Sequence, residues 1–475
     1  MDILNNKDMV FGYDVITYNG EMPNCLPPKF LNTIHNASDF DYPMSGEGYQ
    51  KRWNHHWFLS NSNFWNEFAI KKSVYEIVNY EPDIRWFYII EPFASLENFF
   101  GNDDFYNEFA LNNISKVALE SIKNRNGNLL IHYTVDGGLG INIPNFQKII
   151  DFTKKNGIPD EKVHLVFQDF KLKKNLKKLG VGYNVYDFNL ALQSKSQEFN
   201  KTLNDPNFSF WGEDSHETQV GKMKRNVSSI ATYSEFEESI GKDKKDFLFL
   251  CRHWKLHRLI LMNTLYKLNL DNNLVSWDNR LYHEHVVHDF QNYEKSPEFV
   301  ELIKTTSRTL DIEDLTRIAG YGFENKDIYL NSYISLVSES IFFQENINEY
   351  GISEFPTGYL SEKVWKPIGH SQPFILAGPS KSLEYLKSIG FKTFHPFIDE
   401  SYDLENNDAE RLNLIVEEVN KFSIKTTEEK DQFLKNVSHI CKHNQELFLN
   451  YSTNGLNTKD CKIIVDRLIQ KKSLL

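Results

Sequence analysis

The chain has 475 residues and a formal net charge of −12, and a single compact core is not expected at that length, so two domains are. Its 40% hydrophobic and 14% aromatic content argues against disorder. The acidic balance lacks the overall basic excess of proteins that wrap DNA.

Four cysteines, Cys25, Cys251, Cys441 and Cys461, are scattered without a CxxC pair, which fits neither a disulfide framework nor a zinc cluster and favours a reducing compartment. The N-terminal residues show no basic flank followed by an apolar core, so no signal peptide is expected. No apolar run reaches the length of about 18 residues that a membrane span requires. Together these features predict a cytoplasmic protein, bacterial or, for a viral chain, in the host cytoplasm.

The first hundred residues are rich in aromatics and Asn and have no clear period. Two strand-like runs follow, RWFYIIEPF (85–93) and NLLIHYTVD (128–136). The second leads into Gly137, Gly138 and Gly140, which would let a ligand approach the backbone or simply form a tight turn. NFQKIIDFTKKNG then predicts a helix closed by Gly157. KVHLVFQD (162–169), a Lys-rich helix and VGYNVYDFN complete an alternating pattern. Strand, helix and strand at a spacing of about thirty residues indicate βαβ units and a parallel sheet.

Between Asn200 and about Lys245 the chain turns polar, and the linker is placed near the end of that stretch. The pattern restarts with DFLFLCR (246–252), a helix from about His257 to Leu268, LVSWD (274–278) and YISLVSES (333–340). It continues through a block at 355–394 and a long helical tail. The expected domains are therefore 1–245 and 246–475. Two Rossmann-like α/β domains joined by one linker match the outline of a GT-B glycosyltransferase, whose domains face each other across a cleft. A two-domain dehydrogenase shares that outline, but no GxGxxG follows either first strand.

The chemistry-bearing residues cluster in the second half. An apolar strand delivers a loop with Arg252, His253, Lys255, His257 and Arg258, and a helix follows at once. Cations beside a helix N-terminus suit a diphosphate, although a basic loop is also an ordinary solvated surface. Arg258 ranks above its neighbours, and Arg252 is a second candidate. In YLSEK (359–363), Glu362 and Lys363 open a helix ahead of the buried strand PFILAG. A carboxylate and an ammonium there would grip sugar hydroxyls and a diphosphate. Glu354 and Glu362 also stand in the E-x7-E spacing of many retaining GT-B enzymes, a match that two glutamates in an acidic chain make cheaply.

The segment LVSESIFF…YLSEKVWKPIGHSQPFILAGP resembles the donor-binding half of the α1,3-fucosyltransferase family. That family shows an apolar strand ending in a FENS-like tetrapeptide, then Y-[VL]-[TS]-E-K, a helix, and a strand ending in Gly-Pro. Tyr359, Glu362 and Lys363 match position by position, and Arg258 resembles the family's phosphate-binding arginine. The resemblance spans roughly 247–395, and only YLSEK within it is specific. It implies that Lys363 and Arg258 hold the donor diphosphate while Glu362 and Tyr359 contact ribose or sugar.

The tetrapeptide here is VSES, so Glu339 replaces an expected Asn and Ser338 an expected Glu. Glu339 stays a donor-site candidate, but an acid in place of an amide leaves fucose itself unassigned. The chain resembles uncharacterised transferase-like proteins of viruses and bacteria more closely than the fucosyltransferases.

An inverting transfer needs a general base on the acceptor side. Asp136 and Glu91, both at the ends of apolar runs, are the candidates, with helix capping as their alternative role. Arg and Lys neutralise a diphosphate without a metal in principle, so no cofactor is expected. Asp39-Phe40-Asp41 lies too early, with no strand before it, to serve as a metal-binding DxD. The run from His283 to His288 misses HExxH spacing by one residue. Trp254, Trp277 and Trp365 read as core. The expected activity is transfer of a sugar from a GDP-fucose-like or UDP-sugar donor to a glycan hydroxyl. The alternatives are transfer to modified DNA bases, which the acidic charge disfavours, and a catalytically inactive carbohydrate-binding protein of the same fold.

Overall fold

The computed structural model describes residues 9–13, 69–90, 111, 114–133, 143–187, 189–204, 230–251, 253–279, 283–308, 326–344 and 347–451. Described residues up to Asn189 form one compact unit and those from Leu190 onward a second.

The first unit is built on strands β1 (Met9–Tyr13), β2 (Ala69–Ser73), β3 (Trp86–Ile90), β4 (Gly127–Tyr133), β5 (Val163–Phe167) and β6 (Asn184–Asp187). They form one sheet in the order β2-β1-β3-β4-β5-β6, with every pairing parallel. The helices of this unit are α1 (Val74–Tyr80), α2 (Lys116–Asn124), α3 (Ile143–Asn156) and α4 (Leu172–Lys178). All five residues of β5 are buried, as a parallel strand covered on both faces requires. Its one polar residue, His164, bonds through Nδ1 to the Tyr186 hydroxyl at 3.1 Å. Gly12 is required by packing, because the Trp86 ring fills the space a β-carbon would take. Gly157, at φ +66°, follows α3 where the sequence placed its end.

The second unit carries β7 (Lys245–Leu250), β8 (Leu274–Ser276), β9 (Ser332–Ser338) and β10 (Phe374–Ala377), in the order β10-β9-β7-β8, again all parallel. Its helices are α5 (Leu190–Asn204), α6 (Tyr233–Ser239), α7 (Leu256–Lys267), α8 (Glu284–Tyr293), α9 (Pro297–Thr305), α10 (Lys326–Leu330), α11 (Glu362–Gly369), α12 (Ser382–Ser388), α13 (Asp408–Ser423) and α14 (Thr427–Asn450). The expected α/β class with two parallel, Rossmann-like sheets is therefore present.

The expected division at 245/246 falls inside the second unit, because α5 and α6 are fastened to α14. Ser196 Oγ donates to the Phe448 carbonyl at 2.5 Å. Phe199 meets Phe448 edge-on at 5.3 Å. Gln445 donates from its side-chain amide to Ala231 O at 2.8 Å and Gly369 O at 2.6 Å. The contacts of Ser196, Phe199 and Ala231 with α14 span more than two hundred residues and leave no local pattern.

The chain leaves β7 to form β8 on one side and returns to place β9 on the other. Strand order thus reverses between β7 and β9. In open parallel sheets, ligands bind outside the carboxyl ends of the strands at that point. Among the described residues, no helix is long and apolar enough to cross a membrane.

Candidate functional site

Two chain segments meet at the β7/β9 switch point. After β7, Cys251 donates its backbone N–H to Ser276 O at 2.9 Å, and burial pushes its thiol up to about 11, so it is inert. Trp254 anchors the following loop through a 2.9 Å bond from its indole to Asp278 O. Lys255 then precedes α7, and no side chain caps that helix. After β9 come Glu339 and Ser340.

Arg258 projects from the first turn of α7 and is buried. Its terminal nitrogens donate to the carbonyls of His253 (2.8 Å), Glu339 (3.1 Å) and Ser338 (3.4 Å). The guanidinium therefore ties the post-β7 loop to the end of β9. His257 completes this lacing, with Nε2 3.2 Å from Glu339 O and its ring stacked on Phe342 at 5.1 Å. Burial, then Arg258, lowers its basicity well below the usual range, so it is a neutral structural imidazole.

Glu339 has no exposed surface. Its Oε2 accepts from the Ser361 hydroxyl (2.6 Å), the Ser361 N–H (3.1 Å) and the Ser340 N–H (3.2 Å). Oε1 has no hydrogen-bond partner among the described residues. Burial makes Glu339 a weaker acid than usual by raising its pKa, with the nearby Lys363 ammonium and the Ser361 bonds opposing.

Ser361 is also the N-cap of α11, its oxygen accepting from the Lys363 N–H at 3.4 Å. Lys363 Nζ donates to Glu362 Oε1 (2.8 Å), Ser340 Oγ (3.1 Å) and Ser361 Oγ (3.1 Å). Burial alone would raise the Glu362 carboxyl, but the ammoniums of Lys363 and Lys366 outweigh it and hold it at about 2. Lys255 Nζ reaches the Ser340 carbonyl from the opposite side of the sequence.

The helix N-terminus after β10 is already occupied. Asp403 accepts from the N–H groups of Leu383 (2.9 Å) and Glu384 (3.0 Å) at the start of α12. That carboxylate sits where an anionic ligand would otherwise dock. Lys255, Arg258 and Lys363 gather instead on the β7/β9 side, where α7 begins without a side-chain cap.

The structure brings Arg258, Glu339, Glu362 and Lys363 together. Tyr359 lies two residues before the α11 cap and is buried. Arg252, Asp136 and Glu91 lie outside the described residues, as do Gly137, Gly138, Gly140 and the Asp39–Asp41 triplet. Trp254, Trp277 and Trp365 are core residues, as expected. His285 and His288 ride on α8, with His283 at its N-cap. Among the described residues, no group of three or more His, Cys, Asp or Glu side chains could hold a metal ion. Sequence reasoning missed Ser340 and Ser361. A serine immediately before a predicted helix is an N-cap signal that would have found Ser361.

No protein-family model matches the chain. No curated protein matches it. A search of solved structures found the N-terminal domain of Candida albicans trehalose-6-phosphate phosphatase, 12% identical, covering 91% of this chain and 78% of that one at a TM-score of 0.37. At that score the fold description rests on the strand topology alone.

Proposed function

We propose that the chain is a glycosyltransferase of the GT-B class whose second unit binds a nucleotide-activated sugar at the β7/β9 switch point. The observation that carries this reading is the gathering of Arg258 and Lys363 there, beside Glu362 and the uncapped start of α7. The resemblance of YLSEK to the α1,3-fucosyltransferase family supports it.

In the proposed reaction an acceptor hydroxyl oxygen attacks the anomeric carbon of the donor. The bond from that carbon to the diphosphate oxygen breaks, and the hydroxyl proton passes to a general base, for which Asp136 and Glu91 are the candidates. The nucleoside diphosphate leaves with the bonding electron pair. Lys363 and Arg258 stabilise its growing charge, a task ammonium and guanidinium groups perform without a metal. Glu362, ionised throughout the neutral range, accepts hydrogen bonds from ribose or sugar hydroxyls.

Thermal-shift titration with GDP, UDP and their sugars tests the binding step, and release of free nucleoside diphosphate tests turnover. A nucleotide-dependent rise in unfolding temperature that Lys363→Ala abolishes is expected. No stabilisation by any nucleotide, or equal stabilisation in wild type and variant, would sink the assignment. Stabilisation without turnover of any donor would indicate the inactive carbohydrate-binding alternative.

A further inference from the structure

Two ammonium groups converge on Ser340. Lys363 donates to its hydroxyl at 3.1 Å, and Lys255 donates to its carbonyl. They arrive from separate elements, Lys255 from the N-cap of α7 and Lys363 from the first turn of α11. We propose that Lys255 and Lys363 form a two-cation clamp for the diphosphate of a nucleotide-linked ligand, with Ser340 as the pivot between them. This rests on the donor-site reading above and adds to it a residue that the YLSEK motif does not announce.

Charge makes the argument. Ser340 offers each lysine a neutral oxygen, not a counter-ion. The carboxylate of Glu362 is spent on Lys363 at 2.8 Å. Around Lys255 stand Arg258 on its own helix, Lys363 on α11 and Glu339 after β9; His257, also on α7, is neutral. Glu339 is itself pushed toward its neutral form by burial. Burial, then Arg258 and Lys363, lowers the Lys255 ammonium to about 8, with Glu339 opposing.

The placement of Lys255 points the same way. An N-cap position favours Ser, Thr, Asp or Asn, and the positive end of a helix repels a cation. A half-buried lysine there is a local cost that helix stability does not explain. An anion bridging Lys255 and Lys363 turns the repulsion into attraction and also meets the free N–H groups that open α7.

The test is calorimetric titration of inorganic pyrophosphate, GDP and UDP into the full chain as wild type, Lys255→Met, Lys255→Arg and Lys363→Ala. Lys255→Met is expected to weaken all three ligands by about tenfold or more, while Lys255→Arg keeps most of the affinity. Between about pH 7 and 9, wild type should lose affinity relative to Lys255→Arg, because arginine stays charged and the ligand's own titration is common to both. If Lys363→Ala weakens pyrophosphate while Lys255→Met binds it like wild type, the clamp is overturned and the donor-site reading stands. If neither substitution changes binding, the donor-site reading falls and takes the clamp with it. Should Lys255→Met not fold, identical pH profiles for wild type and Lys255→Arg overturn the clamp.

Discussion

The Ser361 hydroxyl lies 2.6 Å from Glu339 Oε2, so this buried bond and the 3.1 Å bond from the Ser361 N–H key the start of α11 to the end of β9. The same serine caps its helix and receives Lys363 Nζ at 3.1 Å. One small side chain thereby fixes both the orientation of α11 and the position of its cation.

Ser361→Ala should therefore damage fold and site together. Loss of the cap costs about 1 kcal/mol, and weakening the solvation of a buried carboxylate adds about 1–3 kcal/mol. Urea unfolding should show a combined loss of about 2–4 kcal/mol, with weaker nucleotide binding in the folded fraction. A variant as stable as wild type would show that Ser361 does not brace Glu339.

Arg258 and Lys363 share a proposed ligand but differ in what else they hold. Arg258 is buried and laces three carbonyls, so Arg258→Ala leaves buried acceptors unpaired and should cost about 3 kcal/mol of stability. The Lys363 side chain is 26% exposed and its ion pair is partly solvated. Lys363→Ala should cost less stability than Arg258→Ala, because the Lys363–Glu362 pair is partly solvated, yet weaken nucleoside diphosphate binding by about 2–5 kcal/mol. Paired unfolding and binding measurements separate the two; equal stability losses would contradict the division of roles.

Most strands were legible because each is an apolar run bounded by Gly, Pro or charge, as VHLVF and FILA show. β2 was not, since AIKKS is a short edge strand with two lysines and no apolar run. Glu362 and Lys363 were legible through a local motif. The part played by Lys255 was not, because it meets Ser340 only when β7 and β9 become neighbours. Nor does the sequence reveal that Arg258 spends its donors on carbonyls, which depends on where β9 ends.

Asp403 offers a contrast within the same sheet. Its carboxylate caps α12 through two N–H groups and is buried. Asp403→Ala should cost about 2–3 kcal/mol while leaving nucleoside diphosphate binding unchanged in the folded protein. Loss of nucleotide binding at full stability would place the anion at α12 instead of at α7.

Glu339 and Glu362 should bend the stability-against-pH curve in opposite directions. Glu362 is held at about 2 in the fold, below the ordinary glutamate value of about 4.3. Its contribution is present above the unfolded value and lost as pH falls toward 2, an effect of roughly 3 kcal/mol. Glu339 is shifted upward by burial, so its contribution is complete below about pH 4.3 and lost as pH rises through its folded value. Unfolding free energies measured from about pH 3 to 8 should therefore show Glu339→Gln more stable than wild type at neutral pH, with the gap closing toward pH 4. Glu362→Gln should behave the other way, less stable than wild type at neutral pH and converging with it in acid. Parallel curves for the two variants would mean that the Lys363 ammonium does not discriminate between the carboxylates, and the charge arrangement proposed for the donor site would have to be redrawn.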